Sequence, residues 1–123
     1  MIEKSKYFKD RRKYPRVSMD LPLEYRVSYT PHPRGGIVKD ASETGFLIYS
    51  TEDIPLRTKL KIAVLFPKGY ELANFEVYAE IIWKEVHANG DQRKPGYQYG
   101  LRFIQILEED YWKLKRLLSG RSN

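Results

Sequence analysis

Polar and apolar side chains alternate along most of the chain, a pattern typical of β-strands that bury one face. We expect six strands, at residues 21–29, 37–40, 45–50, 60–66, 76–84 and 97–103. Stretches rich in glycine, proline and asparagine separate them and predict loops at residues 30–36, 67–70 and 89–96. Six short strands with one-sided apolar patterning predict a mostly β fold, an antiparallel barrel that closes on itself.

In the fifth expected strand, at residues 76–84, the alternation predicts which side chains lie on each face. Val77, Ala79 and Ile81 recur at every second position, and Trp83 continues the series. Because alternate strand residues share a face, we expect all four in the barrel core and Tyr78 on the outer face.

The final segment changes to the period of a helix. Apolar side chains recur three or four residues apart at Leu107, Tyr111, Leu114 and Leu118. Acidic residues open the segment and basic residues close it, the signs that suit a helix dipole. We expect a C-terminal α-helix over residues 107–119 that packs its leucine face on the barrel and ends at Gly120.

Length and composition limit the class of protein. The chain has 123 residues, of which 41% are hydrophobic, enough for one domain with a core. No apolar run approaches the roughly 18–20 residues of a membrane-spanning helix, and the first residues lack the apolar centre of a secretion signal. Cysteine is absent from the sequence, which excludes disulfides and thiolate metal sites. We therefore expect a cytoplasmic protein without a membrane span.

Positive charge is concentrated at the start of the chain. Residues 1–16 carry seven lysines and arginines against two acidic residues, which is +5 of the net charge of +6. This distribution favours one local anionic partner. We expect a flexible basic tail at residues 1–8 and a single domain at residues 9–119, made of a strap at 9–17, a barrel at 20–106 and the helix.

The sequence offers little for catalysis. His32 and His87 stand alone in or near polar loops, with nothing at metal-ligand spacing beside them. Ser42 lies close to Asp40, but no histidine in the pattern is placed to activate it. The sequence also lacks the glycine-rich phosphate loops and the nucleophile elbow of common enzymes. We expect no catalytic residue, no metal site and no cofactor.

Three arginines precede the first strand, Arg11, Arg12 and Arg16. Pro15 disfavours a helix here, so an extended strap can lay several guanidinium groups against one ligand. Arginine forms paired hydrogen bonds with phosphate or with a guanine edge. In so basic a chain, a solvated tail is the simpler interpretation of the arginines alone.

A second polar element, residues 40–45, follows the second expected strand. Asp40 can accept from the N1–H and N2–H donors of a guanine, and the Ser42 hydroxyl can both donate and accept. Gly45 permits close approach of the backbone. The same residue types between two apolar strands usually form only a turn.

Together the two elements resemble the signature of the PilZ domain family, Arg-x-x-x-Arg followed by Asp/Asn-x-Ser-x-x-Gly. The matching positions are Arg12, Arg16, Asp40, Ser42 and Gly45. The resemblance spans roughly residues 11–118 and implies a small split β-barrel that binds the bacterial second messenger cyclic di-GMP. Thr44 departs from the glycine that many relatives carry, while the required Gly45 is retained.

The resemblance also implies a role for each position. Arg12 and Arg16 would contact phosphate and the O6/N7 edge of guanine. Asp40 and Ser42 would hold a guanine from another edge, and Gly45 would shape the turn.

Three further expectations depend on this resemblance. Arg11, just before the arginine pair, is similar to the residue of members that bind two stacked ligand molecules. Trp83 is a candidate for a ring contact with the ligand, although core packing is its simpler interpretation. Ordering of the strap on binding would create a surface for an unidentified effector protein.

Two other functions fit the same residues. Ten tyrosines and a basic arm on a small barrel suit a single-stranded nucleic-acid binder, although Tyr25 and Tyr99 fall on the inward register. A PilZ-like adaptor that has lost its ligand is the other alternative, and retention of every charged motif position argues against it. We expect cyclic di-GMP, and not nucleic acid, to be the ligand.

Overall fold

The protein consists of six strands and one helix. The structure, a computed structural model, describes residues 15–27, 30–68, 71–87 and 96–121. The elements are β1 (Val17–Val27), β2 (Arg34–Ala41), β3 (Gly45–Ser50), β4 (Lys59–Lys68), β5 (Glu71–His87), β6 (Gly96–Gln105) and α1 (Glu108–Arg121). The strands close into a barrel in the order β1-β2-β3-β6-β5-β4, and all neighbours are antiparallel. This confirms the predicted six-stranded antiparallel barrel with a C-terminal helix.

Alternation along the strands fills the barrel with apolar side chains. In β1, Leu21, Leu23 and Tyr25 are buried between exposed neighbours. Phe46 of β3 and Phe75 of β5 meet inside, with ring centroids 6.2 Å apart. Burial of one such side chain contributes about 1.5–3 kcal/mol. The interior is therefore apolar, and ligand chemistry is confined to the outer face and the ends of the barrel.

Three strands begin at least three residues earlier than the alternation predicts, and the largest difference is in β5, which begins at Glu71 and not at residue 76. β1 begins at Val17 and not at Leu21, so its first residue lies in the segment predicted as a strap. β2 begins at Arg34, inside the predicted loop at residues 30–36. Residues Arg34 to Gly36 pair with β1 through their backbones, and a backbone ladder needs no apolar side chain.

Two predicted connections fall largely outside the described residues. Pro67 and Lys68, predicted to open a turn at residues 67–70, belong to β4, and Lys68 pairs with Glu71 at the start of β5. Residues 69–70, and residues 88–95 of the predicted polar loop, are not among those described.

Trp83 is not in the core, which corrects the prediction from the alternation of β5. The pairing of β5 with β6 shifts between Ile81 and Trp83, so Ile82 is an extra residue in the ladder. A β-bulge of this kind moves the following side chains to the opposite face. Val77, Ala79 and Ile81 are buried as predicted, whereas Trp83 is 42% exposed.

The helix packs its leucine face on the barrel, as predicted. Leu114 and Leu118 belong to the buried core, whereas Leu107, before the first turn, is exposed. The helix continues through Gly120 to Arg121, so the predicted end at Gly120 is wrong. Glycine lowers helix stability by about 1 kcal/mol relative to alanine but does not by itself end a helix.

Tyr99 holds the connection between β3 and β4 from inside the barrel. Its hydroxyl donates to the Glu52 carbonyl at 2.6 Å and accepts from the Ile54 amide at 2.8 Å. The side chain is fully buried, and burial raises the pKa of the Tyr99 hydroxyl, which therefore remains a neutral donor. One buried hydroxyl thus satisfies two backbone groups in a segment without regular structure.

We expect Tyr99→Phe to lower the free energy of unfolding by about 1–3 kcal/mol, because it removes a buried hydrogen-bond partner from two backbone groups. Urea unfolding followed by circular dichroism measures the change. Tyr78→Phe is the matched control, since Tyr78 is 46% exposed on the same barrel. Equal stability of both variants would contradict this role of the Tyr99 hydroxyl.

Candidate ligand-binding site

Arg16 and Asp40, one residue from each polar element, are in direct contact. The Arg16 Nε donates to Asp40 Oδ1 at 2.7 Å, and the Arg16 Nη2 lies 2.6 Å from the same oxygen. Arg16 stands immediately before β1, and Asp40 is near the end of β2, opposite Ser18 of β1. Antiparallel pairing of β1 with β2 therefore brings together residues that are 24 positions apart.

A β-bulge directs Asp40 away from the barrel interior. The pairing of β2 with β3 shifts between Val38 and Asp40, which makes Lys39 an extra residue. Val38 and Ala41 are both buried, while Lys39 and Asp40 between them are half-buried. Without the extra residue, the alternation that buries Val38 would also turn Asp40 inward. Two consecutive polar residues between apolar ones are the sequence signal that marks this bulge.

Ser42 is buried and its hydroxyl stabilises the turn between β2 and β3. The side-chain oxygen accepts from the Thr44 amide at 3.2 Å and lies 3.2 Å from the Thr44 hydroxyl. The Ser42 amide donates to the Gly45 carbonyl at 3.0 Å, and the residue is 1% exposed. Serine hydroxyls commonly stabilise turns in this way.

Gly45 is required by the close approach of β3 to β6. A side chain on Gly45 would overlap the carbonyl oxygen of Leu101, which belongs to the backbone and has little room to move. The turn is joined to β6 at the next position too, because the Phe103 amide donates to the Thr44 carbonyl at 2.9 Å. The glycine of the motif therefore has a packing function that does not depend on a ligand.

Glu43 connects the turn to helix α1. The Tyr111 hydroxyl donates to Glu43 Oε1 at 2.7 Å, and Lys115 Nζ donates to Oε2 at 3.2 Å. The hydrogen bond from Tyr111 lowers the pKa of the Glu43 carboxyl. The hydrogen bond from Lys115 and the positive charge of Lys115 lower this pKa further. Sequence reasoning did not find this contact, because Glu43 and Tyr111 are 68 positions apart and only the folded barrel brings them together.

Trp83 lies on the same outer face as Asp40 but on a distant strand. Neighbouring strands pair Asp40 with Leu47, Leu47 with Gly100 and Gly100 with Trp83. Three strand spacings separate the ends of this row, about 14 Å along the barrel surface. The indole lies directly over Gly100, where any side chain would overlap it.

The structure thus brings Arg16, Asp40, Ser42 and Gly45 to one end of β2 and leaves Trp83 apart. Arg11 and Arg12, the other predicted ligand contacts, lie outside the described residues. Across the described part of the chain, no group of three or more histidine or acidic side chains is arranged to hold a metal ion. The helix that the structure describes is too short and too polar to cross a membrane.

Comparison with known proteins identifies the family and the fold of the chain. The family model of the PilZ domain matches residues 10–120. The PilZ domain of Escherichia coli YcgR with c-di-GMP has the same fold, with 15% identity and a TM-score of 0.69 over 92% of each chain. No curated protein matches the sequence.

Two longer proteins also share the fold. Bacillus subtilis MotI/DgrA matches 92% of this chain with a TM-score of 0.69 and 15% identity. K. pneumonia MrkH in its apo state matches 95% with a TM-score of 0.68 and 16% identity. This chain spans only about half of their lengths, 51% and 53% respectively.

The lowered pKa of Glu43 predicts a pH-dependent contribution to stability. A carboxyl whose pKa is lower in the folded state stabilises the fold at pH values above its ordinary pKa of 4.5. This contribution to the free energy of unfolding is lost as the pH falls through the folded-state pKa. We expect Glu43→Gln to lower the free energy of unfolding by about 1 kcal/mol at neutral pH. Below the folded-state pKa the two proteins should converge.

Urea unfolding at several pH values measures this difference. Glu24→Gln, a change at an exposed position of β1, is the matched control and should not alter the pH dependence. A difference between wild type and Glu43→Gln that stays constant from pH 7 to acid pH would contradict the assigned role of the carboxylate.

Proposed function

The chain belongs to the PilZ domain family, and we propose that it is a non-catalytic receptor for cyclic di-GMP. The observation that carries this proposal is the contact between Arg16 and Asp40, which joins the arginine element to the Asp-x-Ser-x-x-Gly turn. The related fold of the YcgR domain, solved with c-di-GMP, supports the same ligand. Both side chains remain partly exposed, at 30% and 22%, so a ligand can reach them.

The Arg16–Asp40 pair suits recognition of guanine. Both described contacts of the pair fall on Oδ1 of Asp40. Oδ2 can then accept from the N1–H and N2–H donors of a guanine, while Arg16 holds the carboxylate in place and offers its remaining donors to O6, N7 or a phosphate. Adenine has no N1–H to donate, so the arrangement discriminates against cyclic di-AMP.

The phosphates need further positive charge. Arg16 and Asp40 cancel each other in net charge, whereas the ligand carries two negative phosphates. We assign their neutralisation to Arg12 and Arg11, which the sequence places four and five residues before Arg16. An anionic ligand removes the mutual repulsion of the arginines and orders the strap against the barrel, which creates a surface for an effector protein.

Ser42 and Gly45 serve this site by shaping the turn. The Ser42 hydroxyl is buried and bonded within the turn, and Gly45 permits the approach of β3 to β6. We therefore assign ligand contact to Asp40 and a positioning role to its two neighbours. Trp83 remains a candidate for stacking on a ligand ring, because its indole lies on the outer face that Asp40 also occupies.

The nucleic-acid alternative has less support in the structure. Base stacking needs exposed rings; Tyr25 and Tyr99 are only 1% and 0% exposed, whereas Tyr78 and Trp83 are exposed, so the argument against nucleic acid depends mainly on charge. The charge beyond the strap is close to zero, so few phosphates along a longer strand can be neutralised.

Calorimetric titration with cyclic di-GMP tests the proposal. We expect Arg16→Ala and Asp40→Ala each to weaken binding roughly ten- to a hundred-fold, because loss of a charge-assisted contact costs about 1.5–3 kcal/mol. Arg26→Ala, which removes an exposed arginine from β1, is the matched control and should bind as wild type does. Cyclic di-AMP should compete poorly in every case.

The thermal unfolding of the ligand-free variants separates binding from folding. The Arg16–Asp40 pair is partly exposed, so its loss should lower stability by no more than about 1 kcal/mol. Equal affinity for the adenine analogue, or tight sequence-tolerant binding of single-stranded oligonucleotides at physiological salt, would overturn the assignment.

The arginine at position 11 leads to a prediction of how many cyclic di-GMP molecules bind to each chain. Two stacked ligands bring about four negative charges to one site, and each arginine offsets one of them. We therefore expect two cyclic di-GMP molecules per wild-type chain and a shift toward one in Arg11→Leu. Lys4→Leu removes a charge farther from the motif and should leave the ratio at two.

The same titration, followed by amide hydrogen exchange, tests the ordering of the strap. Exchange should slow across residues 8–17 on binding and change little in the barrel strands. A stoichiometry of one in wild type and in both variants would remove Arg11 from the site, and unchanged exchange at residues 8–17 would contradict the ordering.

A further inference from the structure

Helix α1 carries a large aromatic side chain that stays exposed. Leu114 and Leu118 are buried against the strands, whereas Trp112 is 58% exposed. The Trp112 and Tyr111 rings meet edge to face, with centroids 5.6 Å apart, so the indole has a defined neighbour. An exposed tryptophan packed against a neighbour is a common anchor of protein interfaces.

An apolar groove lies beside this tryptophan, between α1 and the hairpin of β4 and β5. We call it the helix groove; it is lined by Phe66, Pro67, Ala73, Trp112, Leu117 and Gly120, with Lys113 and Arg116 at its rim. Its volume is about 380 Å³. This size suits one or two side chains, near the lower end of the roughly 300–1,000 Å³ of small-molecule sites.

Gly120 lines the groove without a side chain. It is the second-last residue of α1, and apart from its chain neighbours and the backbone of its own helix no described atom lies within 4 Å of the position that its Cβ would take. A larger residue at this position would therefore project into open space and fill part of the groove.

Two cationic side chains, Lys113 and Arg116, stand at the rim of the groove. Arg116 is exposed and has no acidic partner among the described ion pairs, and Lys113 donates to the neutral carbonyl of Asn74 at 3.0 Å. None of the groove-lining residues whose side chains the structure describes is acidic, a set that leaves out residues 68–72 and 121. The acidic first turn of α1, which ends at Asp110, lies before Trp112 and does not line the groove. Apolar walls with two cationic side chains at the rim complement a ligand that is both apolar and acidic.

We propose that the helix groove binds an acidic peptide segment of a partner protein. One large apolar side chain of the segment enters beside Trp112, and flanking carboxylates pair with Lys113 and Arg116. The groove is concave, which suits an inserted side chain better than a flat lipid surface. The effector protein that the proposed function requires would bind through such an acidic segment, so this inference builds on the proposed function. Binding of the segment in the groove does not itself need cyclic di-GMP.

Selection from a library of random peptides displayed against the full chain, without cyclic di-GMP, tests the proposal. We expect the enriched peptides to combine aspartate or glutamate with one leucine, phenylalanine or tryptophan. A synthetic peptide of this kind should bind at least about ten-fold more tightly than its matched version with asparagine and glutamine in place of the acids.

Variants of the full chain then locate the site. Trp112→Ala, Arg116→Glu and Gly120→Leu should each weaken binding of the peptide at least about ten-fold. Gly120→Leu fills the groove while it favours the helix, so its loss of binding cannot be ascribed to unfolding. Ile104→Ala and Arg26→Glu change exposed residues elsewhere and should bind as wild type does.

The amide spectrum of the labelled chain gives the position independently, with shifts expected at residues 66–67, 73 and 112–120. A library that yields no binder, peptides without acidic residues, or variants that bind normally would overturn the proposal. The proposal would also be overturned if Trp112→Ala abolished the binding of anionic phosphatidylglycerol vesicles or the self-association of the chain, while the peptide inhibited neither. Failure of cyclic di-GMP to bind would refute only the proposed receptor function.

Discussion

Because the six strands close on themselves, one face of every strand is committed to an apolar interior. Regular alternation then decides which residues reach solvent, and any departure needs an extra residue in the ladder. The pairing of the described strands shifts at four places, and two of these shifts make Lys39 and Ile82 extra residues. The first turns Asp40 outward beside Arg16, and the second turns Trp83 outward over Gly100. The site therefore depends on irregular pairing as much as on the identity of its polar residues.

The contact between Arg16 and Asp40 gives the site its form before any ligand arrives. A carboxylate held by a guanidinium keeps its orientation, so less conformational freedom remains to be lost on binding. The same pairing leaves this part of the site nearly neutral. Recognition of a guanine and neutralisation of phosphates are thus assigned to different segments, the former to the barrel and the latter to the arginines that precede it.

The sequence predicted the parts of the fold that depend on period. Alternation located all six strands, and the spacing of Leu114 and Leu118 located the helix face that is buried. It failed for Trp83, because a bulge changes the face without changing the composition of the strand. For the proposed site, the motif predicted Arg16 and Asp40 as ligand contacts; the structure shows that the two side chains meet, and their contact with a ligand stays a prediction. The contacts of Glu43 depend on how the folded chain places α1 and were not accessible from local pattern.

Glu43 connects the turn beside the proposed ligand site to helix α1, which carries Trp112. It lies in the turn that follows Asp40, and it bonds Tyr111 and Lys115 on either side of the helix position of Trp112. The turn after Asp40 and helix α1 are therefore joined by two side-chain hydrogen bonds, in addition to the packing of Leu114 and Leu118 in the core. Contacts of both kinds fix the position of the helix that carries Trp112 relative to the turn that carries Glu43.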